Sequence, residues 1–225
     1  MTTRIGVVVF PGSNCEFDVI EAVESLGAKG ELLWHGDNTV GGVDAVVLPG
    51  GFAHGDYLRT GAIARFSAVM QAVNEFAKAG GPVLGICNGF QVLTEAHLLP
   101  GALQKNSGLK FLCKTVELEV ASTNSVLTNQ SSLGQKLSIP INHFEGNYTV
   151  DPATLESLHA NDQIVLRYVD NPNGSMDSIA GVCNENRNVV GLMPHPERAV
   201  DMLLGSIDGV PLLQSFLYAA SKVGV

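Results

Sequence analysis

Charge is scarce in this 225-residue chain. Only 16% of residues are charged, and basic groups are the rarer kind, 13 against 22 acidic. The formal charge of −9 argues against a nucleic-acid backbone or an anionic membrane as the main partner. Long hydrophobic runs are lacking too. The apolar run Ile5–Phe10 is too short for a signal-peptide core, and no segment reaches the roughly 20 apolar residues that a membrane-spanning helix needs. The four cysteines, Cys15, Cys87, Cys113 and Cys183, show no C-x-x-C pair and no regular spacing. A zinc site or disulfide framework is therefore not expected, and a reducing, cytoplasmic setting is.

What is present is a large apolar fraction, 45%, and 25 glycines, many of them at the ends of apolar runs. The length fits one domain over residues 1–225. Short β-rich runs alternate with amphipathic stretches, which predicts an α/β fold with a mostly parallel sheet and helices on both faces. Strands are expected at 4–10, 31–35, 44–48, 82–86, 114–120, 164–169, 178–183 and 189–193. Helices are expected at 17–26, 62–77, 90–97 and 211–220, and a polar loop or hairpin at 121–135.

Gly85-Ile86-Cys87-Asn88-Gly89 has the form G-x-nucleophile-x-G between an apolar strand and a helix. A turn that sharp strains the nucleophile's backbone and tolerates only small residues two before and two after it. It would place the Cys87 sulfur at the carboxyl end of the sheet, where open α/β folds hold ligands. A helix N-terminus there favours a thiolate. The competing reading of those five residues is a buried cysteine in an ordinary strand-to-helix turn. Cys15, Cys113 and Cys183 lack such a setting and read as small buried or half-buried thiols.

A thiol nucleophile needs a base. Among six histidines, His195 stands in Met193-Pro194-His195-Pro196-Glu197, where each proline keeps the residue before it out of the helical region. In an extended segment His195 and Glu197 project to one side. The carboxylate can then fix one ring nitrogen while the other faces the thiol. A solvated histidine with an acid nearby is the plain alternative. His54 and His143 lie in glycine-containing loops and could line a site, whereas His35, His97 and His159 read as structural or surface residues. Acyl transfer also needs two N–H donors for the developing oxyanion. Asn88, following the nucleophile, is one candidate. Gly51, in the strand-ending Leu48-Pro49-Gly50-Gly51-Phe52 loop, is the other.

Together these motifs resemble the class I, triad-type glutamine amidotransferases: a P-G-G loop, a G-x-C-x-G elbow and P-H-P-E, in the order Cys, His, Glu. Pro11-Gly12-Ser13-Asn14-Cys15-Glu16, Gly55-Asp56-Tyr57-Leu58-Arg59 and Glu197-Arg198-Ala199-Val200 extend the resemblance over nearly the whole chain. They point to those members that serve as glutaminase subunits in making formylglycinamidine ribonucleotide. The resemblance implies a flavodoxin-like fold and a thioester route from L-glutamine to glutamate and ammonia. In that route Cys87 attacks, His195 protonates the departing ammonia, Glu197 orients His195, and Gln91 contacts the substrate. It also implies a large synthetase partner that uses ATP and Mg2+ on formylglycinamide ribonucleotide, a small bridging subunit, and no metal or cofactor on this chain. Asn142-His143-Phe144-Glu145-Gly146 departs from the family pattern, where glycine usually follows the histidine. Two other readings compete: a cysteine hydrolase or protease with the same elbow, and a degenerate amidotransferase kept as a scaffold.

Overall fold

The computed structural model of the chain describes residues 2–223. In chain order its first half runs β1 (Arg4–Val9), α1 (Glu16–Ser25), β2 (Lys29–Trp34), β3 (Ala45–Leu48), α2 (Ala68–Lys78), β4 (Val83–Ile86) and α3 (Asn88–Glu95). The second half runs β5 (Ala102–Gln104), β6 (Leu112–Val120), β7 (Lys136–His143), β8 (Asn147–Thr149) and α4 (Pro152–Ala160). It continues with β9 (Ile164–Tyr168), β10 (Ile179–Cys183), β11 (Val189–Leu192) and α5 (Val210–Ala220).

Nine strands form one sheet in the order β2-β1-β3-β4-β11-β10-β9-β6-β7. The first five pair in parallel; from β11 onward every pairing is antiparallel. β5 and β8 make a separate antiparallel ribbon. The α/β architecture and the parallel sheet around the elbow are as expected, with an antiparallel extension beyond them. β3, β4, β10 and β11 are buried at every residue, which is why they read as unbroken apolar runs. β7 alternates exposed and buried residues and carries Pro140. It lies at the edge of the sheet, where a missing N–H is tolerated.

β7 was not among the expected strands, and two helical segments also differ from expectation. The helix expected over 62–77 begins only at Ala68, because Ser67 is extended (φ −63, ψ 148) and separates it from a short 3-10 turn, Ala64–Phe66. α4 was not anticipated, although Asp151 caps it by accepting from the amides of Ala153 and Thr154, both at 3.1 Å, with Pro152 next in sequence. The polar stretch 121–135 joins β6 to β7 and is pinned to α5, where the Gln130 amide donates to Ser215 Oγ at 3.0 Å. Among the described residues no helix is long and apolar enough to cross a membrane.

The strand order reverses direction at β1, between β2 and β3, so the loops leaving the carboxyl ends of β1 and β3 border the crevice where such sheets bind ligands. Those loops meet directly: Ser13 and Gly51 form a bridge.

Candidate active site

Cys87 follows β4 and opens α3 with φ 52 and ψ −105, a conformation that costs a non-glycine residue about 1–3 kcal/mol. The surroundings hold it there. Its amide donates to the Leu192 carbonyl at the end of β11, at 2.8 Å. A Cβ on Gly85 would come within 2.5 Å of Leu93 Cδ1, and one on Gly89 within 1.9 Å of the Leu48 carbonyl. The glycines two before and two after the cysteine are thus required by packing. α3 could not approach β3 and β4 this closely with larger residues. The sulfur is nearly buried, 3.6 Å from the Asn142 carbonyl on β7.

His195 hangs from the same end of β11. Its amide donates to the Pro140 carbonyl at 2.9 Å, and its Nδ1 lies 2.6 Å from Glu197 Oε1. Glu197 reaches the ring from a 3-10 turn, Pro196–Arg198, and not from the extended segment expected; the pairing is the same but the turn makes it. Both side chains are essentially inaccessible. Burial by itself pushes the imidazole's pKa down, but the Glu197 carboxylate and the neighbouring thiols of Cys87 and Cys15 outweigh it and raise the pKa well above its ordinary value. His195 Nε2 is buried without a protein partner, as is Glu197 Oε2. The pair can therefore hold a proton beside the Cys87 sulfur and still has a ring nitrogen free to exchange one.

Gly51 adopts φ +146, and a Cβ there would lie 2.8 Å from Ser13 Cα and 2.9 Å from the Asn14 nitrogen. Only glycine fits against the 11–15 turn, which grips the loop: the Phe52 amide donates to Gly12 O at 2.9 Å, and the His54 amide to Pro11 O at 2.6 Å. The Gly51 N–H makes no backbone hydrogen bond among the described residues. Asn88 is the first residue of α3, where helical N–H groups have no partner within the helix. Both expected oxyanion donors are thus free to bond a substrate oxygen.

The Asn88 side chain organises the adjoining wall. Its Oδ1 accepts from the Ala53 amide at 3.0 Å, and its Nδ2 donates to Gln91 Oε1 at 2.9 Å and Asp56 Oδ1 at 3.4 Å. Gln91 Nε2 in turn donates to the Glu145 carbonyl at 2.6 Å. Gln91 is therefore tied on both ends of its amide within the wall. Burial, then the nearby Glu145, raise the Asp56 carboxyl to about 6. His143 is buried, with Nδ1 3.1 Å from Asn106 Oδ1. The Asn106 Nδ2 donates to the carbonyls of Lys110 and His143, so Oδ1 is the acceptor and His143 Nδ1 the donor. Burial, then His195, lower the His143 pKa to about 4. His54 instead packs edge-on against His35, 5.5 Å between ring centres. Phe144 lies beneath the Lys105 ammonium.

Residues 2–209 match the family described as the CobB/CobQ-like glutamine amidotransferase domain. The chain belongs to this family. Among its relatives is phosphoribosylformylglycinamidine synthase subunit PurQ of Rubrobacter xylanophilus, 59% identical over 98% of this chain and 100% of that protein. The protein of the same name in Alkaliphilus metalliredigens is 54% identical over 96% of each chain. A chain in the structure of PurLQS from Thermotoga maritima superposes with a TM-score of 0.90 at 44% identity, covering 97% of this chain and 99% of that one. A glutamine amidotransferase of Thermotoga maritima, at 16% identity and a TM-score of 0.60 over 98% of this chain and 96% of that one, shares the fold.

Within this amidotransferase the structure brings Cys87, His195, Glu197, Gly51, Asn88 and Gln91 to one end of the sheet. Cys15, expected as a small buried or half-buried thiol, is buried, but its polar contacts with Arg198 were not foreseen. The Arg198 Nη2 donates to Cys15 Sγ at 3.1 Å, and its Nε and Nη2 bond Asp18 at 3.0 and 2.9 Å. Their presence in the same motifs as the glycine-rich turn and the His-Glu pair was the available signal.

Proposed function

We propose that the chain is the glutaminase subunit of a phosphoribosylformylglycinamidine synthase, with Cys87, His195 and Glu197 as its catalytic residues. Cys87 attacks the side-chain amide carbon of L-glutamine, and the oxyanion that forms is stabilised by the Gly51 and Asn88 N–H groups. Collapse of the tetrahedral intermediate breaks the C–N bond, with the proton on His195 passing to the departing ammonia. The neutral imidazole then takes a proton from water as that water attacks the thioester, releasing glutamate and restoring the thiol. Glu197 keeps the ring's tautomer and stabilises its charged form. Gln91 shapes the substrate wall. Ammonia passes to a large synthetase subunit, where ATP and Mg2+ act on formylglycinamide ribonucleotide. A small bridging subunit completes this cytoplasmic assembly.

The observation that carries this reading is the juxtaposition of a cysteine at φ 52 on a helix N-terminus with a buried His–Glu pair hung from the adjoining strand. Support for the assembly comes from relatives, matched over nearly their whole length, that are named as a subunit of that synthase. The test is glutamate release from glutamine with the synthetase subunits, formylglycinamide ribonucleotide and ATP present, for this chain and for Cys87→Ala. Activity should fall by at least about 10³-fold in the variant and be coupled to amidine formation in the wild type. Turnover that survives the substitution would refute the assignment of Cys87.

A further inference from the structure

Cys15 takes no part in the chemistry above, yet it is built into the site. It ends the turn after β1 and immediately precedes α1, and it is 3% exposed. Its amide donates to the Gly50 carbonyl at 3.3 Å, which attaches it to the loop carrying Gly51. Its thiol donates to Asn14 Oδ1 at 3.1 Å and accepts from Arg198 Nη2 at 3.1 Å. Asp18, on the first turn of α1, holds that guanidinium from the other side. The sulfur also lies against the imidazole. Ligating atoms of Cys15, His195 and Glu197 all fall within 4.8 Å of one another. A Cβ on Gly50 would meet His195 Cε1 at 2.7 Å and Cys15 Sγ at 3.0 Å, so the Gly50 backbone covers the seam between ring and sulfur.

A small buried thiol filling space accounts for none of the polar contacts. A guanidinium bonded to a sulfur, and itself fixed by a carboxylate, orients that sulfur. The arrangement also meets a mechanical need. The bond from Nδ1 to Glu197 fixes one atom of the ring but leaves it free to tilt about that contact. A catalytic base displaced by about 1 Å loses of the order of 10²-fold in rate. A wall on the Cε1 edge removes that freedom.

We infer that Cys15 is a positioning residue for the glutaminase reaction: its sulfur, oriented by Arg198 and Asn14, holds the His195 ring between Glu197 and Cys87 and locks it to the Gly50–Gly51 loop. This rests on the function proposed above. A sulfur in that place also favours the charged imidazole, so its loss reaches the pH dependence as well as the rate.

The test compares wild type, Cys15→Ala, Cys15→Ser and Cys87→Ala, each assembled with the synthetase subunits. It measures kcat and KM for glutamine, and the pH dependence of alkylation by an electrophilic glutamine analogue, with the labelled peptide identified. Cys15→Ala should lower kcat about 10–100-fold with KM within about threefold. The pH limb set by His195 should move to lower pH, with the label still on Cys87. Cys15→Ser, which keeps a small polar group for Arg198, should recover most of the loss. Cys15→Ala with wild-type kcat and an unmoved pH limb overturns the inference. So does an equal collapse of both variants with a lowered unfolding temperature, which assigns Cys15 to the fold alone. Label on Cys15 together with an active Cys87→Ala overturns both the inference and the assignment of the nucleophile, whereas the first two results leave that assignment standing.

Discussion

Replacing Glu197 by Gln removes a charge while keeping shape, and the structure sets the size of the effect. Glu197 Oε1 lies 2.6 Å from His195 Nδ1, and the two side chains are 0% and 2% exposed, so solvent screens little of their attraction. Opposite unit charges about 4 Å apart attract by about 4 kcal/mol at an effective dielectric constant of 20. An attraction of that size is a factor of about 10³ in an equilibrium constant, and it favours the charged imidazole. A glutamine amide oxygen can still accept from Nδ1–H, so the ring's tautomer survives and the charge alone is lost. Burial, now unopposed by the carboxylate, should carry His195 downward in pKa. The stability consequence reverses sign. In the wild type the raised pKa contributes stability that is full below the unfolded value near 6.5 and is lost as pH rises through the higher folded pKa. In the variant a lowered pKa removes stability as pH falls below about 6.5. Glutamate release and thermal unfolding should be followed together from pH 5.5 to 9. We expect kcat to fall about 10²–10³-fold near neutrality, with the variant relatively more stable at alkaline pH. Activity within threefold of wild type and an unchanged pH profile would show that the pair does not hold the catalytic proton.

Two further outcomes follow from the geometry. Gly51→Ala must displace a backbone-to-backbone contact at φ +146 and should cost about 10²–10³-fold in kcat; crystallography of the variant with unmoved loops and full activity would remove Gly51 from the oxyanion site. His143, held near pKa 4 when folded, is protonated more readily in the unfolded chain, so acid pH favours unfolding. Between pH 7 and 5 this group alone should cost about 2 kcal/mol of stability. Chemical denaturation of His143→Gln should show that component missing, and an undiminished pH dependence would exclude His143 as its source.

The elbow was legible because its requirements are local. Two glycines, an apolar strand before and a helix after are all adjacent in sequence, and each is dictated by contacts of that segment with β3 and α3. The His–Glu pairing was legible as composition but not as conformation, since a 3-10 turn and an extended segment both fit Pro196-Glu197-Arg198. β7 was missed although its alternation runs unbroken, because Pro140 within it argues against a strand except at a sheet edge. The helix expected over 62–77 was overdrawn because apolar spacing continues through Ser67, whose extended backbone no periodicity reports. The polar setting of Cys15 was illegible for a different reason: its distinguishing neighbour, Arg198, is 183 residues away in the chain.

The sheet order explains how such distant residues come to share a site. β1, β3, β4 and β11 are consecutive neighbours in the sheet and parallel. Their carboxyl ends carry Cys15, Gly51, Cys87 and His195 in that order. Neighbouring strands lie about 4.8 Å apart, so one strand-to-strand step sets the coarse spacing between Cys87 and His195, the proposed nucleophile and base. The Cys87 amide bonded to the Leu192 carbonyl fixes that step at the point where both loops begin. Orientation is settled separately. Strain at Cys87 aims the sulfur, the 3-10 turn returns Glu197 to the ring, and the 11–15 turn braces the Gly51 loop. The spacing of the proposed nucleophile and base therefore depends on a buried sheet, whereas the proposed oxyanion donor Gly51 depends on contacts between two loops. Substitutions in the 11–15 turn should act first on transition-state stabilisation, and only through Cys15 on the base.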